Sequence, residues 1–433
     1  MSISTTIADA GFSNALIRKS EVRPIEYSTT FLLNIAIAGA IYAVLFFSAP
    51  LFAAYYRIEL LMPVVRAMGI SILFAASAVV VKARLTRQMD FKTQAIASLT
   101  SSLVSAAVGL YMVYHDGGIW SLVAQQLIRQ SLYAIGLFVL TRYSFTFHYS
   151  HAAARELFAF GSRILFSSLL TAVYNNLYYF VIGKVYSPRQ LGLYSRAEQF
   201  SLMIALNFTL VLQRVSLPAL TKNKHDGQNL ESVFQRLYKF SALLGSLFLF
   251  SLAAMADNFT YVVVGKQWMP SAPMLSILAI YSAFPPIIAL HQNLLQVRGE
   301  SKLFMRLEVL KTFLSACIVA IAIWIDFYAL LGGIVLIGVL SLGINGYWGS
   351  KFLPTYKQFK QIKDTLYYFL VSSFVAFIVF LSSKLAITPS SKLGIQIAVF
   401  TLISLFLFTF VLKGEWKMLK QIVRPSVKNE EQQ

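Results

Sequence analysis

The chain has 433 residues, of which 57% are hydrophobic and only 13% are charged, and its mean hydropathy is +0.66. Soluble domains carry about 25% charged residues, so this composition excludes an ordinary soluble domain. The net charge of +19 could indicate a nucleic-acid partner, but we predict none, because basic loops on one side of a membrane account for such a charge.

Apolar runs of about 20 residues, the length needed to cross a bilayer, recur along the whole chain. We predict an all-α polytopic membrane protein with a half-helix at Ile3–Leu16 and about twelve complete transmembrane helices. In chain order, these helices span Thr29–Tyr55, Leu60–Val81, Ala95–Tyr114, Ile119–Thr141, Leu157–Val181, Leu191–Leu212, Phe240–Ala256, Met269–Leu290, Val309–Trp324, Leu330–Leu353, Leu366–Leu381 and Ile395–Leu412.

The connections between these helices differ sharply in charge. Taken alternately, and with the basic residues that flank each helix, one set holds about 28 Lys and Arg residues and the other about 6. Basic connections stay in the cytoplasm. We therefore predict that the basic set, which includes the tail from Lys413, lies inside the cell.

Three arginines lie inside the predicted helices, where a charged side chain is costly unless it faces a cavity or a partner. Amide side chains accompany them. Because guanidinium groups bind phosphates in a forked geometry and amides suit hydroxyls, we predict a hydrated cationic cavity for an anionic or sugar-bearing cargo. The candidate cavity residues are Arg66, Gln126, Arg129, Asn175, Asn176, Arg196 and Gln199.

One face of the fourth predicted helix is polar over two turns, and we expect it to look inward. The residues of this face are Gln125, Gln126, Arg129 and Gln130. A structural alternative stays open for single residues. Arg66 and Arg196 could reach toward the interface or pair locally, Arg196 with Glu198 or Gln199, while the amides join neighbouring helices.

No catalytic or metal-binding pattern accompanies these residues. The five histidines have no metal-ligand spacing, and the sequence contains no Walker loop, nucleophile elbow or paired carboxylates. We therefore predict no cofactor, no metal site and no enzymatic activity. Glu156, Glu198 and Glu308 are the acids nearest to the predicted helix interiors and lie toward helix ends, so the sequence identifies no buried carboxylate for coupling to protons or sodium.

Three further features concern helix ends and breaks. Pro354–Asp364 and Lys413–Arg424 each combine apolar residues at helical spacing with lysines, which predicts amphipathic helices on anionic headgroups. Plain basic flanks of transmembrane helices are the alternative. Pro285-Pro286 interrupts the helix Met269–Leu290, because proline removes a backbone donor, and predicts either a hinge or a fixed kink.

An internal repeat of roughly two hundred residues relates the two halves of the chain. Ala8–Arg18 and Leu212–Lys222 both place small and apolar residues before a basic residue, with Ala-Leu in register at Ala15-Leu16 and Ala219-Leu220. The second copy carries a helix pair from Arg155 before this motif, whereas far less sequence precedes it in the first copy. We therefore expect the chain to begin inside a helix, with a deficit of one to two helices of about 20 residues each.

Six short segments, taken in order, carry a family resemblance. They are Ala8–Lys19 (ADAGFSNALIRK), Leu85–Lys92 (LTRQMDFK), Tyr174–Tyr178 (YNNLY), Gly192–Gln199 (GLYSRAEQ), Gln213–Leu220 (QRVSLPAL) and Gly265–Trp268 (GKQW). Together they resemble the Wzx-type exporters of teichuronic acid, colanic acid and O-antigen, which belong to the MOP, or MATE-like, flippase superfamily. The resemblance runs from Met1 to Leu353.

This resemblance implies fourteen helices in two six-helix lobes that face a cavity, followed by two extra helices. With the first helix and most of the second absent, the expected domains are an incomplete N-terminal lobe (1–142), a C-terminal lobe (151–353), two additional transmembrane helices (354–413) and a basic cytoplasmic tail (414–433). The location implied is the bacterial inner membrane, with multiple passes and a cytoplasmic C-terminus.

The function implied is a flippase that moves an undecaprenyl-diphosphate-linked oligosaccharide across this membrane by alternating access, for O-antigen, capsule or exopolysaccharide biosynthesis. The partners implied are that lipid, the bilayer and other polysaccharide-assembly membrane proteins. Three alternatives stay open: an ion-coupled multidrug antiporter, a membrane glycan polymerase and a truncated product without function. The cationic residues argue against a cationic drug, and the short external connections argue against a polymerase with a large catalytic loop.

Overall fold

The computed structural model describes residue 16 and residues 22–142, 148–155, 176–224, 226–385, 388–407 and 409. These residues form twelve α-helices of at least 11 residues. They are α1 (Pro24–Tyr56), α2 (Leu61–Arg87), α3 (Phe91–Tyr114), α4 (Ile119–Thr141), α5 (Pro188–Lys222), α6 (Gly227–Phe259), α7 (Ala272–Ser282), α8 (Phe284–Arg298), α9 (Ser301–Ala322), α10 (Phe327–Gly349), α11 (Gln358–Ser382) and α12 (Pro389–Phe406). The shorter helical segments are π-helical turns at Ile182–Tyr186 and Thr260–Val264 and 3-10 turns at Lys266–Ser271 and Ser350–Phe352.

Within the described part of the chain, nine helical segments are long and apolar enough to cross a membrane. This confirms the prediction of an all-α polytopic membrane protein. Helices α4 and α9 also coincide with predicted transmembrane helices, but polar residues make them less apolar. The predicted segments Ile3–Leu16 and Leu157–Val181 lie almost entirely outside the described residues, as does the tail 414–433.

The chain divides into two compact units, Met1–Phe180 and Val181–Gln433. In the first unit, α2 packs against α1 on one side and against α4 on the other. Small residues permit this close approach. Ala76 meets Ala38 of α1, while Ala78 packs with Ala97 of α3 and Ala134 of α4. Helix α2 therefore lies between α1 and α4 among the described residues.

The connection before α3 is fixed by a side-chain cap. The Asp90 carboxylate accepts hydrogen bonds from the Thr93 backbone N–H (3.0 Å) and from the Thr93 hydroxyl (2.7 Å). Such bonds satisfy a donor that the first turn of a helix leaves unpaired. They also lower the pKa of Asp90, with the backbone bond as the main cause, so this cap stays ionised at neutral pH.

In the second unit, α6 is the helix around which the others assemble, since it contacts α5, α7, α8, α11 and α12. Polar pairs join it to the last two helices along its length. The pairs are Tyr238–Thr365 (2.6 Å), Ser246–Ser372 (2.7 Å) and Asn258–Gln396 (2.9 Å). In a membrane, the lipid is as apolar as the apolar side chains, so helices gain little from burying those side chains against each other. Hydrogen bonds of this kind therefore help to hold the helices together. We call these three pairs the α6 polar seam.

A buried cluster extends the α6 polar seam toward α8 and α10. His291 of α8 is fully buried, and its Nε2 lies 2.9 Å from Oε1 of Gln361 in α11. The Gln361 amide group in turn donates to the Tyr356 backbone oxygen (3.0 Å). Gly349 of α10 lets the imidazole approach, because a Cβ there would lie 2.7 Å from the His291 ring. Helix α11 is therefore held against three helices, α6, α8 and α10.

The segment 354–364 does not form the predicted interfacial helix. Tyr356 is 1% exposed and belongs to the core, whereas Phe359 is 79% exposed, so the predicted apolar face is split between opposite sides. Residues from Gln358 onward are the first turns of the continuous helix α11. Burial, together with the hydrogen bond that its hydroxyl donates to Asp364 (2.7 Å), raises the pKa of Tyr356. The second predicted segment, Lys413–Arg424, lies outside the described residues.

The paired prolines begin α8. Helix α7 ends at Ser282 and α8 starts at Phe284, so Pro285 and Pro286 occupy its first turn, where a missing N–H removes no intrahelical bond. Gly338 of α10 packs on this break, since a Cβ there would lie 2.8 Å from the Phe284 ring. This tight packing favours the fixed kink over the hinge.

Candidate functional site

A cavity of about 300 Å³ lies in the first unit among α2, α3 and α4. Two cations line it, Lys82 from α2 and Arg129 from α4. The remaining lining residues are Ala75, Ala78, Val79, Ser98, Ser101, Gln130 and Tyr133. No carboxylate is found among the described lining residues, so nothing in this lining neutralises the two positive charges. We call this space the Arg129 cavity.

The Arg129 cavity offers charged donors, an amide and hydroxyls. The Ser101 hydroxyl already donates to the backbone oxygen of Ser98 (3.0 Å) and can only accept a further bond. Within the described residues, no hydrogen bond or ion pair joins Arg129 to another side chain. Its guanidinium, the Lys82 ammonium, the Gln130 amide and the hydroxyls of Ser98 and Tyr133 are groups that can donate to an anion.

The polar face of α4 is divided between two environments. Arg129 and Gln130 line the cavity, whereas Gln125 packs on α3, where a Cβ at Gly109 would lie 3.2 Å from the Gln125 Cβ. Gln126 is half-buried and does not line the Arg129 cavity. Of the two predicted cavity residues on α4, Arg129 thus lines a cationic cavity and Gln126 does not.

Arg66 lies near the start of α2 and contacts α1 instead of the cavity. Its Nε donates to the backbone oxygen of Phe46 (3.3 Å), and its guanidinium lies 4.2 Å from the centre of the Phe46 ring. Pro50 stands four residues after Phe46, inside α1 and toward its C-terminal end, and has no N–H to offer that oxygen. The Arg66 side chain therefore supplies the donor that the proline removes, which agrees with the structural alternative for this residue.

A double-mutant cycle tests this role of Arg66. Arg66→Met leaves the Phe46 oxygen without a donor, and we expect it to lower the free energy of unfolding by about 1–3 kcal/mol. Pro50→Ala returns the backbone donor, so the same Arg66→Met change should cost about 1 kcal/mol less in that background. The measurement is thermal unfolding of the purified protein in detergent. Arg87→Met, at the far end of α2, is the control and should be additive with Pro50→Ala; additivity for Arg66→Met would disprove the role.

Arg196 and Gln199 lie together on α5. The Arg196 guanidinium donates to the Gln199 side-chain oxygen (3.0 Å) and lies 4.9 Å from the centre of the Trp268 ring. Glu198 instead accepts from the Tyr194 hydroxyl (3.0 Å). The structure thus forms the local pair with Gln199 that the sequence offered as an alternative. A guanidinium above an indole keeps its outer edge available for a phosphate.

The last two predicted cavity residues, Asn175 and Asn176, are adjacent in sequence. Asn176 is half-buried just before the π-helical turn Ile182–Tyr186, and Asn175 lies outside the described residues. Sequence reasoning missed Lys82 and Trp268. The predicted helix Leu60–Val81 ends just before Lys82, because a charged residue is typical of a helix end, but α2 continues to Arg87. Trp268 is the last residue of the GKQW segment. That segment carries part of the family resemblance, but the sequence indicates no role for its tryptophan.

The chain matches a known sequence family. The profile of a family described as "Polysaccharide biosynthesis protein" matches residues 1–273. Among curated relatives, the chain is 26% identical over 299 residues to the teichuronic acid biosynthesis protein TuaB of Bacillus subtilis, covering 69% of this chain and 62% of the relative. It is 22% identical over 321 residues to the lipopolysaccharide biosynthesis protein WzxC of Escherichia coli, covering 72% and 64%.

A third relative is the succinoglycan biosynthesis transport protein ExoT of Rhizobium meliloti, with 25% identity over 276 residues, covering 63% of this chain and 56% of the relative. The chain thus spans a little under two thirds of the length of the curated relatives that it matches.

Solved structures show what the fold resembles. The lipid II flippase MurJ in an inward closed conformation aligns with a TM-score of 0.71 at 14% identity, covering 95% of this chain and 90% of that chain. An inward-facing multidrug resistance MATE family transporter of the MOP superfamily aligns with a TM-score of 0.60 at 14% identity, covering 84% and 88%. At this level of identity the likeness concerns the fold, and it agrees with the MATE-like architecture expected from the sequence.

Proposed function

The chain belongs to the polysaccharide biosynthesis protein family, and from this premise we propose that it is a membrane exporter that moves a lipid-linked oligosaccharide from one leaflet to the other. The observation that carries the proposal is the Arg129 cavity, in which Lys82 and Arg129 face a lining without a described carboxylate. Both side chains are exposed, and two neighbouring cations without a described carboxylate beside them attract an anion.

The diphosphate of an undecaprenyl-diphosphate-linked saccharide is the anion that suits this site. A guanidinium and an ammonium together match two neighbouring phosphates. The Ser98 and Ser101 oxygens and the Gln130 amide can bond to sugar hydroxyls beside them. Within the second unit, Arg196, held by Gln199 and Trp268, is a separate candidate contact for a phosphate.

The remaining parts of the proposal concern location and organisation. The charge asymmetry of the connections supports a multi-pass protein of the bacterial inner membrane with a cytoplasmic C-terminus. We retain the lobes 1–142 and 151–353, the additional helices 354–413, the tail 414–433 and alternating access as parts of the proposal. The bilayer and other polysaccharide-assembly membrane proteins are the proposed partners, and the protein is a transporter rather than an enzyme.

An ion-coupled multidrug antiporter is the second candidate, because a MATE transporter shares the fold. Like charges disfavour one another by several kcal/mol at short range in a low-dielectric site. Two uncompensated cations in the Arg129 cavity therefore oppose a cationic drug and favour an anionic cargo. A glycan polymerase has no observation in its favour.

Reconstitution into proteoliposomes tests the proposal. The probe is undecaprenyl diphosphate that carries a short fluorescent oligosaccharide. Without transport, a membrane-impermeant quencher removes only the fluorescence of the outer leaflet; with transport, it removes nearly all. Quenching limited to the outer leaflet would contradict the proposed function. Uptake of a cationic dye in the same vesicles would favour the drug antiporter.

A further inference from the structure

An apolar groove of about 550 Å³ lies in the second unit between α6, α7 and α11. Helix α11 supplies most of its lining, between Leu366 and Phe380, and Ser373 is the one polar residue among the described lining residues. Helix α12 packs on another side of α11, where the Gln396 amide group donates to the Val379 backbone oxygen (3.3 Å), and it contributes no residue to the described lining. We call this space the α11 groove.

The α11 groove has about the length of one lipid acyl chain. From Leu366 to Phe380, α11 rises about 21 Å, whereas one leaflet of the hydrocarbon core is about 15 Å thick. Phe369 is held in the lining by the rings of Phe250 in α6 and Phe284 in α8, whose centres lie 5.1 Å and 5.6 Å from its own. The groove is therefore a preformed apolar surface on which a single chain can pack.

One end of the α11 groove reaches the start of α11. Phe359 and Ile362 precede Leu366 at helical spacing and are exposed, so the face that lines the groove continues to the first turn of the helix. Gln358 joins this end to α10, because its amide group donates to the backbone oxygen of Gly343 (3.2 Å). The first turns of α11 and the last turns of α10 thus lie side by side. We call this end the mouth of the groove.

Two lysines flank the mouth. Lys363 is exposed in the second turn of α11, and Lys351 is exposed in the 3-10 turn that follows α10. The Lys351 ammonium lies 4.7 Å from the centre of the Tyr347 ring and 3.6 Å from the centre of the Trp348 ring. Among the described residues, neither lysine forms an ion pair. Both ammonium groups can therefore donate to an anion.

The acids beside the mouth are already occupied. Residues 343–363 include four lysines and no Asp or Glu. Asp364, which follows them, lies 3.7 Å from the Lys239 ammonium. Glu231 of α6 accepts a hydrogen bond from the Thr355 backbone N–H (2.9 Å). The mouth therefore keeps an excess of positive charge at the end of an apolar groove, which is the arrangement that suits an anionic lipid.

We propose that the α11 groove binds an anionic phospholipid of the cytoplasmic leaflet. One acyl chain lies along the groove, and the phosphate bonds to Lys351 and Lys363 at its mouth. The charge asymmetry of the connections assigns this end of α11 to the cytoplasm, where anionic lipids meet basic side chains. A polyprenyl chain is far longer than one leaflet, so the length of the groove favours a phospholipid over the tail of a cargo lipid. The site goes beyond the proposed export function and does not depend on it.

Native mass spectrometry of the full chain in detergent tests this site. The delipidated protein is titrated with phosphatidylglycerol, and separately with phosphatidylcholine that carries the same acyl chains. We expect the first phosphatidylglycerol to bind about tenfold more tightly than phosphatidylcholine. Lys351→Gln with Lys363→Gln should remove this preference. Ala376→Phe keeps both lysines but fills the groove, so it should weaken the binding of phosphatidylglycerol; Ser373→Phe replaces it if it fails to fold.

The matched control removes two lysines at the opposite end of the last two helices. Lys384 lies just beyond α11, and Lys392 lies near the start of α12. Lys384→Gln with Lys392→Gln should bind both lipids as the wild type does. Equal affinity of the wild type for the two lipids, or unchanged preference after loss of Lys351 and Lys363, would overturn the proposal. So would displacement of phosphatidylglycerol by an equal concentration of undecaprenyl phosphate, which would assign the groove to the cargo. These readouts involve no transport, so they stand apart from the export assay.

Discussion

Replacement of Arg129 by alanine is expected to abolish export of lipid-linked oligosaccharide while the protein stays in the membrane at its wild-type level. Arg129 makes no described bond to another side chain, so its removal leaves no partner unsatisfied. A hydrogen bond between a charged donor and a phosphate contributes about 1.5–3 kcal/mol, which corresponds to about a ten- to hundredfold change in affinity. Transport of the fluorescent lipid-linked oligosaccharide in proteoliposomes is the measurement.

Companion variants separate charge from geometry in the Arg129 cavity. Arg129→Lys keeps the charge but loses the forked geometry and should retain part of the transport. Lys82→Ala should weaken transport, whereas Lys92→Ala, an exposed lysine in the first turn of α3, should not. Normal transport by Arg129→Ala, with the protein present, would remove the Arg129 cavity from the proposed mechanism.

Gln361→Leu is expected to destabilise the second unit more than any other single change to a buried amide described above. It leaves the His291 ring nitrogen and the Tyr356 backbone oxygen without partners. Each unsatisfied buried group costs about 1–3 kcal/mol, so the expected loss in the free energy of unfolding is about 2–5 kcal/mol. Thermal unfolding of the purified protein in detergent is the measurement.

The control for Gln361→Leu is the same substitution at an exposed glutamine. Gln296 lies on α8, the helix that carries His291, and its side chain is exposed. Gln296→Leu should change the midpoint of unfolding little, because surface substitutions are generally within about 0.5 kcal/mol of neutral. Equal midpoints for the two variants would show that the bond between His291 and Gln361 contributes nothing to stability.

The helices were predictable because membrane crossing imposes a long apolar run that few other structures require. The predicted helix Ala95–Tyr114, for example, ends at the same residue as α3. Ends defined by charge were less accurate. The predicted helix Leu60–Val81 stops just before Lys82, and Glu308 is predicted toward a helix end, yet α2 continues to Arg87 and α9 begins at Ser301. A charged residue therefore does not by itself mark a helix end.

The candidate site was predictable in part. Arg129 follows from sequence, since an arginine in the middle of an apolar helix needs a cavity or a partner. The donor that Arg66 gives to the Phe46 oxygen could not be foreseen, because it depends on which turn of α2 lies beside Pro50. The same limit applies to Trp268 beneath Arg196: contacts between helices depend on their rotation and register, which a hydropathy pattern does not contain.

The α6 polar seam has a consequence for biogenesis. Helix α6 leaves the ribosome long before α11 and α12, but Tyr238 and Asn258 find their hydrogen-bond partners on those last two helices. Until α11 and α12 have been synthesised, the nascent second unit holds polar groups whose partners do not yet exist. Packing of α6 is therefore completed only when α11 and α12 insert, and folding of this unit depends on that late step.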